Sequence, residues 1–170
     1  MLDISKILID GGILSALFVV LVLAIAAYNP RLFLNKGDVP PDILAAVPPK
    51  TDQEKRLANW LGIPLFMILI LGPIYSTYTL ALAAPNAGFV SLYLHALLVL
   101  LLPTLADLIL VDWLILNTFT PKMFVYPGTE GFTGYKDYGF HLRGHLKVLP
   151  MMLLGSVITA GLALLGSRLL

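Results

Sequence analysis

The sequence predicts an all-α polytopic membrane protein, a four-transmembrane-helix bundle with two long cytoplasmic loops and both termini outside. Three observations carry this reading. The 170 residues are 58% hydrophobic and only 12% charged, with a mean hydropathy of +0.88; a soluble domain carries about twice that charged fraction. Four apolar stretches reach the length needed to cross a hydrocarbon core, about 20 residues at about 1.5 Å each against about 30 Å. Lysine and arginine gather in two long connections and are nearly absent elsewhere.

The first span covers residues 11–28 and is stopped by Asn29-Pro30. Ala24-Ile25-Ala26 imitates a signal-cleavage site. However, Asp3 and Asp10 offset Lys6 ahead of the apolar run and the basic residues follow it, so an uncleaved span is expected. The first loop, 29–56, contains Pro40-Pro41-Asp42 ahead of Ile43–Val47 and then Pro48-Pro49. Proline at its start and proline after its end predict a short interfacial helix. Its charges nearly cancel, so it reads as a membrane-hugging connector that covers the second loop.

The second span, 57–83, is opened by Thr51-Asp52-Gln53-Glu54, the pattern of a capping box. The third, 89–116, follows the uncharged turn Ala84-Pro85-Asn86-Ala87-Gly88. Pro64, Pro73 and Pro103 lie inside these two spans, where each is expected to kink its helix and free a carbonyl. The fourth span, 148–165, carries the small-residue pairs Ser156/Ala160 and Thr159/Ala163. Close packing on such a face is what holds helices together once both are in lipid.

Charge sets the orientation. Arg31, Lys36, Lys50, Lys55 and Arg56 fall in the first loop, and Lys122, Lys136, Arg143 and Lys147 in the second, 117–147. The ends hold only Lys6 and Arg168. The positive-inside rule then places both loops in the cytoplasm, with Trp60 and Trp113 at the inner boundary. One integral domain, 1–170, in a plasma or inner membrane is expected. The absence of cysteine excludes disulfides, thiolate metal sites and a cysteine nucleophile. A net charge of +1 gives no electrostatic case for nucleic acid.

Asp107 is the main departure from an apolar bundle, near the middle of the third span. A charged carboxylate at mid-bilayer costs about 2.5–3.5 kcal/mol on insertion scales. No lysine or arginine is expected at its depth, so the acid is read as neutral or water-coupled, with Ser156 and Thr159 as neighbours. It is one candidate proton or cation site, and His95 is the other. His95 is expected to bond a tyrosine of the second span, Tyr75 or Tyr78. Asp112, one turn from the inner boundary, is expected to pair with Lys122, Arg143 or Lys147.

The second loop interleaves glycines with Phe132, Tyr135, Tyr138 and Phe140, and reads as ordered rather than disordered. Asp112, Glu130, Asp137, His141, Arg143 and His145 are weak catalytic candidates. Lys136, Arg143 and Lys147 could hold an anionic lipid head group. His141 and His145 at i, i+4 have the spacing of a two-histidine metal pair. Three histidines are too few for a histidine-rich di-iron oxidase, and His-Glu-x-x-His and the P-loop are absent, so no metal is assigned. No particular cofactor is indicated.

Three functions fit these features. The first is a binding or accessory module at the cytoplasmic face, in a homo-oligomer or a larger membrane complex. The second is an oligomeric proton- or cation-linked transporter or channel using Asp107. The third is an interfacial enzyme acting on a lipid-like substrate.

Overall fold

A computed structural model describes residues 2–169. The fold is all-helical, 81% helix, with no strand among the described residues. Among the described residues five α-helices follow the chain: α1 (Ile4–Tyr28), α2 (Pro41–Ala46), α3 (Asp52–Ala83), α4 (Phe89–Ala106) and α5 (Tyr138–Arg168). From Asp107 to Phe119 the α4 helix continues as a π-helix. Four spans are long and apolar enough to cross a membrane: Ile4–Tyr28, Asp52–Ala83, Phe89–Phe119 and Tyr138–Arg168. Only 6% to 33% of the most apolar window of each is buried within the protein. The remaining faces carry side chains such as Val20, Phe66, Leu154 and Leu165, which are more than half exposed. At about 25 cal/mol per Å² of apolar surface, those faces call for lipid rather than water. This is the pattern of a small multi-pass membrane protein, consistent with a four-helix bundle.

Contacts divide the chain into two compact units. One holds the chain up to Phe18, Phe66–Leu105 and the segment from Val148 onward. Its core joins Leu80 and Ala81 of α3, Leu92 of α4, and Ala160 and Ala163 of α5. The small-residue face expected on the fourth span is thus turned inward: Ser156, Thr159, Ala160 and Ala163 are all buried. α1 joins through a close approach, since a Cβ on Gly72 would run into Leu14.

The other unit holds Val19–Leu65 and Ala106–Lys147. Here the two long connections fold on one another. Leu34, Val39, Ile43 and Val47 of the first pack with Tyr126 of the second, flanked by Phe132 and Tyr135. The prolines place α2 where expected, and the Asp42 carboxylate on its first turn accepts the Gly134 N–H at 2.9 Å. Any side chain at position 134 would collide with that carboxylate, so glycine is required there. The capping box forms: Thr51 N–H donates to Glu54 Oε2 at 2.8 Å and Glu54 N–H to Thr51 Oγ1 at 3.2 Å. Arg31 reaches the same carboxylate at 2.6 Å and donates to the carbonyls of Pro48 and Pro49.

The long helices run past the expected spans: the first starts at Ile4 rather than Gly11, the second at Asp52 rather than Leu57, and the fourth ends at Arg168 rather than Leu165. The fourth long helix begins at Tyr138 rather than Val148, and the third runs through to Phe119. The polar residues between 138 and 147 depress hydropathy without breaking the helix, so a hydropathy boundary falls late. Asp137 starts α5 as its cap, accepting the Phe140 N–H at 2.9 Å.

Tyr126 ties the loops together. Its hydroxyl donates to the Pro30 carbonyl at 3.1 Å, and its N–H donates to the Tyr135 hydroxyl at 2.9 Å. Burial, with Tyr135 adding to it, pushes the Tyr126 phenol well above its ordinary value. The fold therefore favours the neutral phenol. That stabilisation is complete below about pH 10, where a free phenol titrates, and is lost as pH rises further. In detergent melts, Tyr126→Phe is expected to lower stability at pH 8 by about 0.5–1.5 kcal/mol, one hydrogen bond. It is also expected to flatten the decline above pH 10. An unchanged alkaline limb would assign that titration to another group.

Candidate functional site

The π-helix decides what the second unit presents. Pro103 supplies no N–H to the Val99 carbonyl, so the α-helical ladder is already interrupted one turn before Asp107. From Asp107 onward the bonds run i→i+5, as from the Thr120 N–H back to the Ile115 carbonyl at 2.8 Å. In an α-helix residues five apart lie about 140° apart around the axis. With i→i+5 bonding they stack on one face, as residues four apart do in an α-helix. Asp107 and Asp112 are five apart. His141 and His145, four apart, share a face of α5. Two carboxylates on one helix thus meet two imidazoles on another.

Asp112 lies at the centre. Its Oδ1 is 3.2 Å from His141 Nδ1 and its Oδ2 is 3.0 Å from His145 Nε2. Asp107 Oδ2 is 3.9 Å from the same His145 Nε2, close but beyond a hydrogen bond. The ligand-type atoms of Asp107, Asp112 and His145 all lie within 4.8 Å of one another. Side-chain exposure rises across the group, from 10% at His141 and 13% at Asp112 to 18% at His145 and 23% at Asp107. All four side chains are thus mostly but not fully buried. Asp38, in the first connection, is near enough to act electrostatically on both carboxylates.

The two helices are clamped so that these groups face each other. Lys136 donates to the carbonyls of Asn117 and Thr118 and to Thr120 Oγ1, at 2.7, 3.0 and 2.7 Å. It thereby satisfies carbonyls that the end of the π-helix leaves open. Asn117 donates to the Tyr135 carbonyl at 2.9 Å and Trp113 to the Tyr138 carbonyl at 3.2 Å.

Several sequence expectations are corrected here. Asp107 is not solitary, and its close polar neighbour is His145; Ser156 instead donates to the Met152 carbonyl of its own helix. Asp112 pairs with histidines rather than with Lys122, Arg143 or Lys147. The cause is the early start of α5, which carries His141 and His145 up against the third span. Arg143 pairs with Asp137 at 3.2 Å, at the start of α5. Glu130 accepts the Gly128 N–H at 2.9 Å in a loop turn. Of the six catalytic candidates the structure brings together Asp112, His141 and His145. Glu130, Asp137 and Arg143 are engaged elsewhere. Of the lipid candidates, Lys136 and Arg143 have internal partners, and Lys147 is exposed.

The first unit carries a second polar group around His95, which is fully buried. Its partner is Ser76, not a tyrosine, with Ser76 Oγ 2.8 Å from His95 Nε2. Tyr75 is turned outward. Ser76 also donates to Asp10 Oδ2 at 2.6 Å, and Lys6 Nζ lies 2.7 Å from that oxygen. Because the single hydroxyl proton goes to Asp10, His95 must donate from Nε2, which leaves Nδ1 as a bare lone pair. Nδ1 and Thr77 Oγ1 have no protein partner among the described residues. This order excludes a nucleophilic triad, in which histidine stands between serine and acid and takes the serine proton. Here serine stands in the middle and keeps its proton toward the acid.

The chain matches no family model, no curated protein and no solved structure.

Replacing Ser76 with alanine strips a buried imidazole N–H of its partner. The expected cost is about 1–3 kcal/mol, read as a lower melting temperature in detergent. Ser76→Ala combined with His95→Leu should be less destabilised than the sum of the two changes, because removing both partners leaves no orphan. Strict additivity would deny the bond its energetic role.

Proposed function

We propose that this is a small integral membrane protein that binds and exchanges a cation, protons included, at Asp107, Asp112, His141 and His145, acting as an oligomeric cation-linked transporter. The observation that supports it is the convergence of two carboxylates and two imidazoles on facing helices of membrane-spanning length. With both acids ionised and both imidazoles neutral the group carries two negative charges, which a low-dielectric setting penalises unless a cation arrives. A cation that binds and leaves toggles the group between charged and balanced states. Four helices are few to line an aqueous path, which is why the reading includes more than one copy.

The positive loops belong to the same unit as this cluster, so the reading places it toward the cytoplasmic face. A binding or accessory role at that face is the second reading. It is supported by the mutual folding of the two connections into a packed, aromatic-rich surface with an exposed Lys147, to which an anionic head group or partner subunit would dock. Stoichiometric co-purification with another membrane protein would favour it.

The test is flux through reconstituted vesicles carrying a pH-sensitive dye, with and without an imposed cation gradient. Asp107→Asn is expected to lower flux at least about tenfold, corresponding to about 1.4 kcal/mol or more. Flux that is absent from the wild type, or unchanged in Asp107→Asn, rejects the transport reading.

A further inference from the structure

We infer that the cluster is a binding site for a divalent transition-metal ion, with Asp107, Asp112 and His145 as ligands and His141 as a positioning residue. The inference deepens the cation-binding reading and rests on it. Four features of the cluster support the assignment.

The first is spacing. Ligands about 2.0–2.2 Å from a tetrahedral zinc-type ion stand about 3.3–3.6 Å from one another, and cis ligands of an octahedral ion about 3 Å. His145 Nε2 lies 3.0 Å from Asp112 Oδ2 and 3.9 Å from Asp107 Oδ2. These two separations bracket the required values, and all three ligand atoms lie within 4.8 Å of one another, so an ion would draw the carboxylates together by rotation.

The second is the chemistry of the donors. Two carboxylates and an imidazole, with no sulfur, suit zinc, iron(II), cobalt(II) or manganese(II), whereas magnesium and calcium prefer all-oxygen shells. A dication also balances the charges of Asp107 and Asp112, which pair with no lysine or arginine among the described residues.

The third is the role left to His141. It holds Asp112 Oδ1 at 3.2 Å, which aims the other oxygen of that carboxylate at His145. A hydrogen bond that orients a ligating carboxylate is a recurring feature of metal sites. It also explains why Asp112 has a histidine on each oxygen, where a simple ion pair would need one.

The fourth is the helical register. Without the π-helix the two carboxylates would point apart, and a stretch of thirteen π residues is rare enough to call for a reason.

Binding changes the protons in a defined way. In the empty cluster His145 Nε2–H donates to Asp112 Oδ2. With an ion in place Nε2 presents its lone pair, the imidazole proton sits on Nδ1, and Asp112 Oδ2 turns from hydrogen-bond acceptor to ligand. Three protein ligands leave at least one coordination position for water or a passing ligand, on the side where Asp107 is 23% exposed.

The experiment uses the full chain in mild detergent, stripped with chelator. Cobalt(II) is the probe, followed by its visible d–d absorption, with zinc(II) as competitor. One saturable equivalent is expected, displaced by zinc. Asp112→Asn and His145→Ala should weaken binding on the order of a hundredfold or more, and His141→Gln about ten- to a hundredfold. Asp52→Asn, an exposed acid at the start of α3, should change nothing. If the ligand variants fail to fold, the wild type decides alone: bound cobalt should quench Trp113, adjacent to Asp112, and the quench should vanish in Trp113→Phe. No saturable binding, binding indifferent to His145→Ala, or binding without Trp113 quenching overturns the assignment. Proton exchange in vesicles without metal uptake removes the metal and leaves the cation reading standing. Loss of both removes both.

Discussion

Everything distinctive in the second unit depends on a match between two helical registers. A π-helix stacks Asp107 over Asp112, an α-helix stacks His141 over His145, and the two pairs meet face to face. Neither pair does much alone. Two aspartates stacked in an apolar span without partners would be costly. Two histidines on a polar helix start would be ordinary surface groups. The surrounding bonds serve this meeting: Lys136 closes the end of the π-helix, Asp137 caps α5, and Trp113 and Asn117 bind the intervening turn. The glycine at 134, pressed against Asp42, lets the first connection brace the same turn.

The polar groups around His95 and Asp112 illustrate different solutions to burying ionisable side chains. Around His95 the charges are local: Lys6 faces Asp10 one turn away, and Ser76 relays the contact to the imidazole. That group balances its own charges, with His95 fully buried and the partly exposed Lys6–Asp10 pair at its edge. Among the described residues the Asp112 group pairs with no lysine or arginine. A set balanced by its own lysine ties helices together, whereas the two carboxylates of the Asp112 group are answered by imidazoles alone.

Much of the fold was legible in the sequence because it follows from composition and short-range rules. Apolar length gave the four spans, Thr51 to Glu54 gave a capping box, paired prolines bounded α2, and Ser156 to Ala163 marked the packed face. The site was legible only as an inventory. Asp107, Asp112, His141 and His145 could each be singled out, yet an α-helical reading sets the two acids about 140° apart and a hydropathy boundary at Val148 leaves the histidines in a loop. Hydrogen-bond register is not encoded in residue type as apolar periodicity is. Pro103, one turn ahead of Asp107, was the available signal of a disturbed ladder. Likewise His95 could be seen, but its bond to Ser76 rather than a tyrosine depends on rotation about the helix axis, which hydropathy does not report.

The π-helix links chain length to geometry in this region. Between Asp107 and Asp112 the backbone holds one residue more than an α-helix needs to bring its side chains back to the same face. Losing that residue would shorten the separation to four, which suits α-helical bonding, so a deletion accompanied by reversion to the commoner helix would keep both acids aligned. Reverting without the loss would turn one acid away, because residues five apart in an α-helix lie about 140° apart. Descendants of this chain can therefore return to α-helical winding here and keep both acids aligned only by losing one residue, and a gap of one position opposite residues 108–111 would be the trace of such a paired event.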